Sequence, residues 1–234
     1  MNLWIVIAFL LIGFAAWELA YFFHYMSRLK KLRRKAALRK AELGSGKDFR
    51  LLIAGDSIGT GMGASSFEKS VAGRIAHHIS GKHHVIMRNM SINGSKVKTL
   101  LANKINERYE LCVLLISSND VIRFTPFINF EKDLQKMLEK YAKISKKVIL
   151  IGPANVGDAY LLPALLRIIY RRTAPKYAAI LKKISSKFPS VSYINSISPR
   201  KELGEYTRKY YGTDMFHPND DGHEFWFEMI KEKL

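Results

Sequence analysis

The reading turns on the stretch Arg50-Leu51-Leu52-Ile53-Ala54-Gly55-Asp56-Ser57-Ile58-Gly59-Thr60-Gly61. Its first half is an aliphatic run of strand length, and runs of this kind suit a parallel sheet covered on both faces. The second half alternates glycine with small or polar residues, which permits a tight turn and holds Ser57 at the entrance of a following helix. His84 to Asn89, Leu111 to Ile116, Lys147 to Gly152 and Val191 to Tyr193 repeat the strand signature. Helical patterns fall between them. In the clearest, Phe130, Leu134, Met137, Leu138 and Tyr141 share one face, while Glu131, Lys132, Lys136 and Lys140 lie elsewhere. The alternation predicts an α/β fold, a doubly wound three-layer α/β/α sandwich around a mostly parallel five-stranded sheet. No internal repeat or low-complexity tract interrupts it.

In such a sheet, ligands bind beyond the carboxyl ends of the strands, and the most unusual residues of this chain lie there. Ser57 follows the first run. Asn89-Met90-Ser91-Ile92-Asn93-Gly94-Ser95 follows the second, where Gly94 can offer a backbone N–H with no side chain in the way. After the third come Ser117-Ser118-Asn119-Asp120, and the Asn119 amide can donate to a developing negative charge. Near the C-terminus, Asp214-Met215-Phe216-His217-Pro218-Asn219-Asp220 sets an acid three residues before a histidine. A serine hydroxyl needs a base to take its proton, and the imidazole needs an acceptor to fix its tautomer. Asp214 and His217 can supply both. Any one of these blocks alone is weak evidence, since Gly-Asp-Ser also suits a helix entrance and Asp-x-x-His is common by chance.

With all four blocks in this order, the sequence from roughly Phe49 to Leu234 resembles the SGNH hydrolase family, also called GDSL esterases and lipases, and especially its thioesterase/lysophospholipase-like branch. The resemblance implies a flavodoxin-like SGNH fold and hydrolysis of carboxylic esters through an acyl-enzyme. It makes Ser57 the nucleophile, Asp214 and His217 its triad partners, and Ser57, Gly94 and Asn119 the oxyanion-hole donors. One position departs from the pattern. The third block usually opens with glycine, and here it opens with Ser117. Such chemistry requires no metal or organic cofactor. Two other readings are an acyltransferase, in which an alcohol accepts the same acyl group, and a catalytically silent membrane tether.

Leu3 to Tyr25 is apolar but for Glu18, and as a helix it is long enough to cross a hydrocarbon core of roughly 30 Å. A cleavable signal peptide would want positive charge ahead of the apolar run, a shorter core and small residues at a cleavage site. Here the positive charge follows. Arg28, Lys30, Lys31, Arg33, Arg34, Lys35, Arg39 and Lys40 crowd behind the span, which places the catalytic domain on the cytoplasmic side and suggests anionic lipid headgroups as partners. Glu18 is expected near a headgroup layer. The formal charge of +18 therefore does not argue for nucleic acid, and no nucleic-acid module appears. The resulting division is residues 1–25 as anchor, 26–48 as a basic juxtamembrane helix or linker with the helix stopping near Gly44, and 49–234 as the hydrolase-like domain.

The remaining candidates read as structural. Cys112 is the only cysteine, so no intramolecular disulfide can form, and it sits in an apolar run as a small hydrophobe. Asp56 is expected to stabilise its turn and Asp120 to support Asn119. His77, His78, His83 and His84 match no zinc spacing and are read, with His223, as surface histidines. Ala159 to Ile184 is apolar and basic, and suits either packing on the sheet or an acyl-binding, membrane-facing flap.

Overall fold

Buried β-branched and aliphatic runs leave no polar side chain to solvate, so they pair where both sheet faces can be covered by helices. In the computed structural model, which describes residues 2–29, 38–197 and 201–234, the chain runs α1 (Leu3–Leu29), β1 (Lys40–Leu43), β2 (Asp48–Gly55), α2 (Val71–Ser80), β3 (His84–Asn89), α3 (Val97–Leu101), β4 (Tyr109–Leu115), α4 (Ser118–Ile122), α5 (Phe127–Ile144), β5 (Ser145–Ile151), α6 (Ala164–Ser185), β6 (Val191–Ile194) and α7 (Asp220–Lys231). The strand order is β1-β3-β2-β4-β5-β6, with β2 to β6 parallel. All five expected runs are strands. Their order reverses at β2, and the blocks that follow β2, β3 and β4 meet beyond the carboxyl ends of these neighbouring strands.

Alternation along each strand divides the core into two layers. Leu52, Ala54, Cys112, Leu114, Val148 and Leu150 pack with α5 and α6 on one face. Leu51, Ile53, Val113, Leu115, Ile149 and Ile151 pack with α2 and α7 on the other. The expected face of α5, Phe130, Leu134, Met137, Leu138 and Tyr141, is fully buried. Cys112 is buried too, and desolvation pushes its thiol well above the ordinary range. At the end of β2, a side chain on Gly55 would place its Cβ 2.0 Å from the Leu115 carbonyl oxygen. Only glycine lets the strand end lie this close to β4.

Two expectations need correction. The sheet has six strands rather than five, because Lys40–Leu43 pairs antiparallel with β3 instead of prolonging a helix to Gly44. Its residues are good helix formers, but Ala41 and Leu43 pack on the core while Lys40 and Glu42 face solvent. That period of two fits the open edge of β3, and tertiary pairing overrides local propensity. The continuation through Lys30, Lys31, Arg33, Arg34 and Lys35 lies outside the described residues. Arg39 is engaged within the protein, its Nη1 donating to the Ser91 carbonyl at 2.7 Å.

The second correction concerns His223, which is fully buried rather than on the surface. Val71 N–H donates to its Nδ1 at 3.3 Å, so Nε2 carries the proton and donates to the Met62 carbonyl at 3.0 Å. The ring ties the start of α7 to α2 and to the turn after β2. His77 and His78 are exposed, while His83 and His84 are half-buried and His84 Nδ1 lies 2.9 Å from Asp48 Oδ1.

Helix α1 is long and apolar enough to cross a membrane, from Leu3 to Arg28. Glu18 makes a contact inside the protein: its Oε2 accepts the Ala164 N–H at 2.8 Å, in the first turn of α6. That N–H has no partner within its own helix, and the carboxylate serves as a cap supplied from another element.

Burial pushes the His223 pKa down to about 4, against the Met62 bond, which favours the charged ring. A histidine that is harder to protonate folded than unfolded contributes stability above pH of about 6.5, and this contribution is lost as pH falls toward 4. His223→Gln should therefore unfold at lower temperature than wild type at pH 7, and the gap should narrow by about 2 kcal/mol at pH 4.5. Thermal unfolding at both values checks this; a constant gap would remove His223 as the titrating group.

Candidate active site

The turn after β2 presents Ser57 because its neighbours are tied down. Asp56 N–H donates to the Leu115 carbonyl at 2.9 Å, which continues the β2–β4 pairing one residue past the strand. The Asp56 carboxylate accepts the Ile58 N–H at 3.0 Å and closes a tight local turn around Ser57. Asp56 is wholly buried, and desolvation outweighs that bond to push its pKa up to about 7. Its contacts are those of a turn-forming residue.

The block after β3 packs on this turn. Asn89 donates through Nδ2 to the Gly59 carbonyl at 2.8 Å and accepts the Ser91 N–H at 3.0 Å. Thr60 Oγ1 donates to Asn93 Oδ1 at 2.6 Å, and Ile92 N–H donates to the Gly55 carbonyl at 3.0 Å. Asp120, buried behind Asn119, accepts the Val97 N–H at 2.9 Å and so joins the block after β4 to the start of α3. Burial raises its pKa.

The C-terminal block arrives from the opposite side of the cleft. His217 Nδ1 lies 2.7 Å from Asp214 Oδ2, and His217 Nε2 lies 3.1 Å from Ser57 Oγ. The other carboxylate oxygen of Asp214 accepts the N–H groups of Phe216 at 3.1 Å and His217 at 3.0 Å. This short Asp-x-x-His loop turns because Met215 takes a left-handed φ of 55°. Asp214 is fully buried and His217 nearly so. On the other side, a Cβ at Gly63 would lie 2.1 Å from the Pro218 carbonyl oxygen, so the absence of a side chain there lets the histidine loop approach the serine turn.

Ser57, Gly94, Asn119 and His217 line one cleft of ≈ 1290 Å³, with Asp214 buried behind the imidazole. The sequence-expected residues therefore meet in one place. Such an arrangement can deprotonate a hydroxyl at Ser57 and offers N–H donors on the same wall for an anion formed next to it. Three residues of the cleft escape sequence reasoning. Arg123 brings Nη2 to 3.3 Å from where a Gly94 Cβ would be. Phe22 and Met26, from α1, also line the cleft. An exposed arginine carries no signal of its own, and a span that is apolar all round hides which of its faces is docked.

The departure at Ser117 has a structural expression. Its φ is 95°, a left-handed conformation that glycine adopts without cost and an L side chain does not. The side chain is buried, and its hydroxyl has no hydrogen-bond partner. Ser117→Gly should relieve both penalties and stabilise the fold by about 1 kcal/mol, raising the melting temperature by about 3 °C in a domain of this size. Differential scanning calorimetry reads it; a lower melting temperature would show that the serine makes a compensating contact.

Residues 53–225 match the model of the GDSL-like Lipase/Acylhydrolase family. Among solved structures, Axe2, an acetylxylan esterase from Geobacillus stearothermophilus, is similar with a TM-score of 0.59 and 19% identity, over 82% of this chain and 96% of that one. TesA is similar with a TM-score of 0.58 and 20% identity, over 79% of this chain and 97% of its own. At these identities the likeness to the solved structures concerns the fold. No curated protein matches the sequence.

Proposed function

Since this chain belongs to the GDSL-like lipase/acylhydrolase family, and is by that membership a carboxylic ester hydrolase, we propose that it is a membrane-anchored serine esterase working through Ser57, His217 and Asp214. The observation that carries the residue assignment is the pair of contacts made by one imidazole, 2.7 Å to Asp214 and 3.1 Å to Ser57. Catalytic mutants of Axe2 replace a serine, an aspartate and a histidine, the last two spaced three positions apart as Asp214 and His217 are here.

In the proposed mechanism, His217 Nε2 takes the Ser57 proton as Oγ attacks the ester carbonyl carbon. The carbonyl π electrons move onto oxygen, where the N–H groups of Ser57 and Gly94 and the Asn119 amide receive the negative charge. Collapse of the tetrahedral adduct expels the alcohol, which leaves with the proton held by His217. Water then gives a proton to His217 and its oxygen to the acyl carbon, and the acid leaves as Ser57 recovers its proton. Asp214 accepts the Nδ1–H throughout, fixing the tautomer and favouring the transient imidazolium.

The anchoring half of the proposal rests on α1, whose apolar window has a mean hydropathy of 2.2 and is not buried in the protein. Positive charge follows the span in the sequence, which favours the catalytic domain on the cytoplasmic side. Lys40 is the described member of the basic segment left for headgroups, since Arg39 donates to the Ser91 carbonyl and Arg28 to the Thr213 carbonyl.

Ser57→Ala should abolish hydrolysis of p-nitrophenyl esters and labelling by a fluorophosphonate probe while leaving circular dichroism unchanged. Turnover that survives would reject the nucleophile. Asn119→Ala should lower kcat by about 10²- to 10³-fold, as expected for loss of an oxyanion donor. The full chain should resist alkaline carbonate extraction from membranes, and its release into the supernatant would reject the anchor.

A further inference from the structure

Helix α1 meets the catalytic domain along one face. Glu18, Tyr21, Phe22, Tyr25 and Met26 are partly or fully covered, whereas Leu19, Ala20, Phe23 and His24 are exposed. The spacing i, i+3, i+4, i+7, i+8 is that of a docked helical stripe. Its two ends are held by polar contacts. Glu18 accepts the Ala164 N–H at 2.8 Å, and Arg28 Nη1 reaches the Thr213 carbonyl at 3.5 Å, one residue before Asp214. Between these points Phe22 and Met26 line the cleft that contains Ser57 and His217.

Helical rise sets the depth of that wall. Leu3 to Phe22 covers about 28 Å at 1.5 Å per residue, close to the roughly 30 Å of a hydrocarbon core. A span beginning at Leu3 therefore brings Phe22 to the boundary between acyl chains and headgroups, and the cleft with it. Leu165 and Ile168, on the first turns of α6 next to the Glu18 contact, are exposed apolar side chains at the same end of the domain.

We propose that Phe22 and Met26 are specificity-determining residues: the anchor helix forms one wall of the acyl groove, and a bilayer-resident ester enters laterally along it, its alkyl chain lying against these two side chains. The proposal deepens the reading of Ser57 as nucleophile and α1 as membrane span, and rests on it.

The test uses the full chain in phosphatidylcholine/phosphatidylglycerol nanodiscs, with p-nitrophenyl acetate and p-nitrophenyl dodecanoate as short and long esters. The readout is the ratio of kcat/KM for the long ester over the short one, which partial unfolding of a variant does not alter. Phe22→Ala and Met26→Ala should each lower this ratio about tenfold, because the lost contacts belong to the distal methylenes. Phe23→Ala removes the same apolar area from the exposed side of the same turn, and its ratio should stay within about twofold of wild type. Phe22→Trp, which narrows the groove, should also shift preference toward the shorter chain. If Phe22→Ala and Met26→Ala keep the wild-type ratio while wild type hydrolyses both esters, the helix is no wall of the site and the inference falls with the esterase reading intact. If wild type turns over neither ester and takes no fluorophosphonate label, the esterase reading itself fails, and the inference with it.

Discussion

One hydrogen bond of 3.1 Å joins Ser57 to His217 across 160 positions of chain, and most of the architecture can be understood as making that contact possible. Neither residue can reach the other by local structure. The serine stands at the end of β2 in the middle of the sheet, and the histidine sits on a loop entering the last helix. Close packing brings the two loops together at Gly55, which lets β2 end against β4, and at Gly63, which lets the histidine loop settle on the serine turn. A methyl group at either place would displace backbone rather than a flexible side chain.

The surrounding polar groups fix the loops before any substrate is present. Asn89, Thr60 and Asn93 lock the second block to the first, and Asp120 locks the third block to α3. Asp214 uses both carboxylate oxygens, one on the ring and one on two backbone N–H groups, so the imidazole is oriented by a group that cannot itself rotate freely. The proposed electrostatic catalysis would need such an arrangement, because donors already in place cost no reorganisation when charge develops. The same rigidity has local costs, visible in the left-handed Ser117 and in the buried carboxyl of Asp56.

Helix α1 extends the constraint outside the sheet. In the proposed anchored form, a flexible linker after the helix would leave the domain free to tumble above the bilayer. Glu18 and Arg28 tie the last turns of the helix to α6 and to the loop before Asp214, so the direction of the helix and the direction of the cleft are coupled.

What could be read from the chain alone was whatever depends on local periodicity or on residue type at a strand end. The five parallel strands followed from aliphatic runs, the buried face of α5 from helical spacing, and the candidate site from small or catalytic residues after successive strands. Strand β1, the burial of His223, the engagement of Arg39 and the docking of α1 were not legible, since each exists only through a partner distant in sequence. Lys40 to Leu43 looks helical until the open edge of β3 is beside it, and His223 looks like a surface residue until α2 covers it. Sequence determined which residues could perform the chemistry, because function restricts residue type. Tertiary structure alone decided which of them meet and what closes the cleft around them, because hydrogen bonds and packing act over a few ångströms of space whatever the separation along the chain.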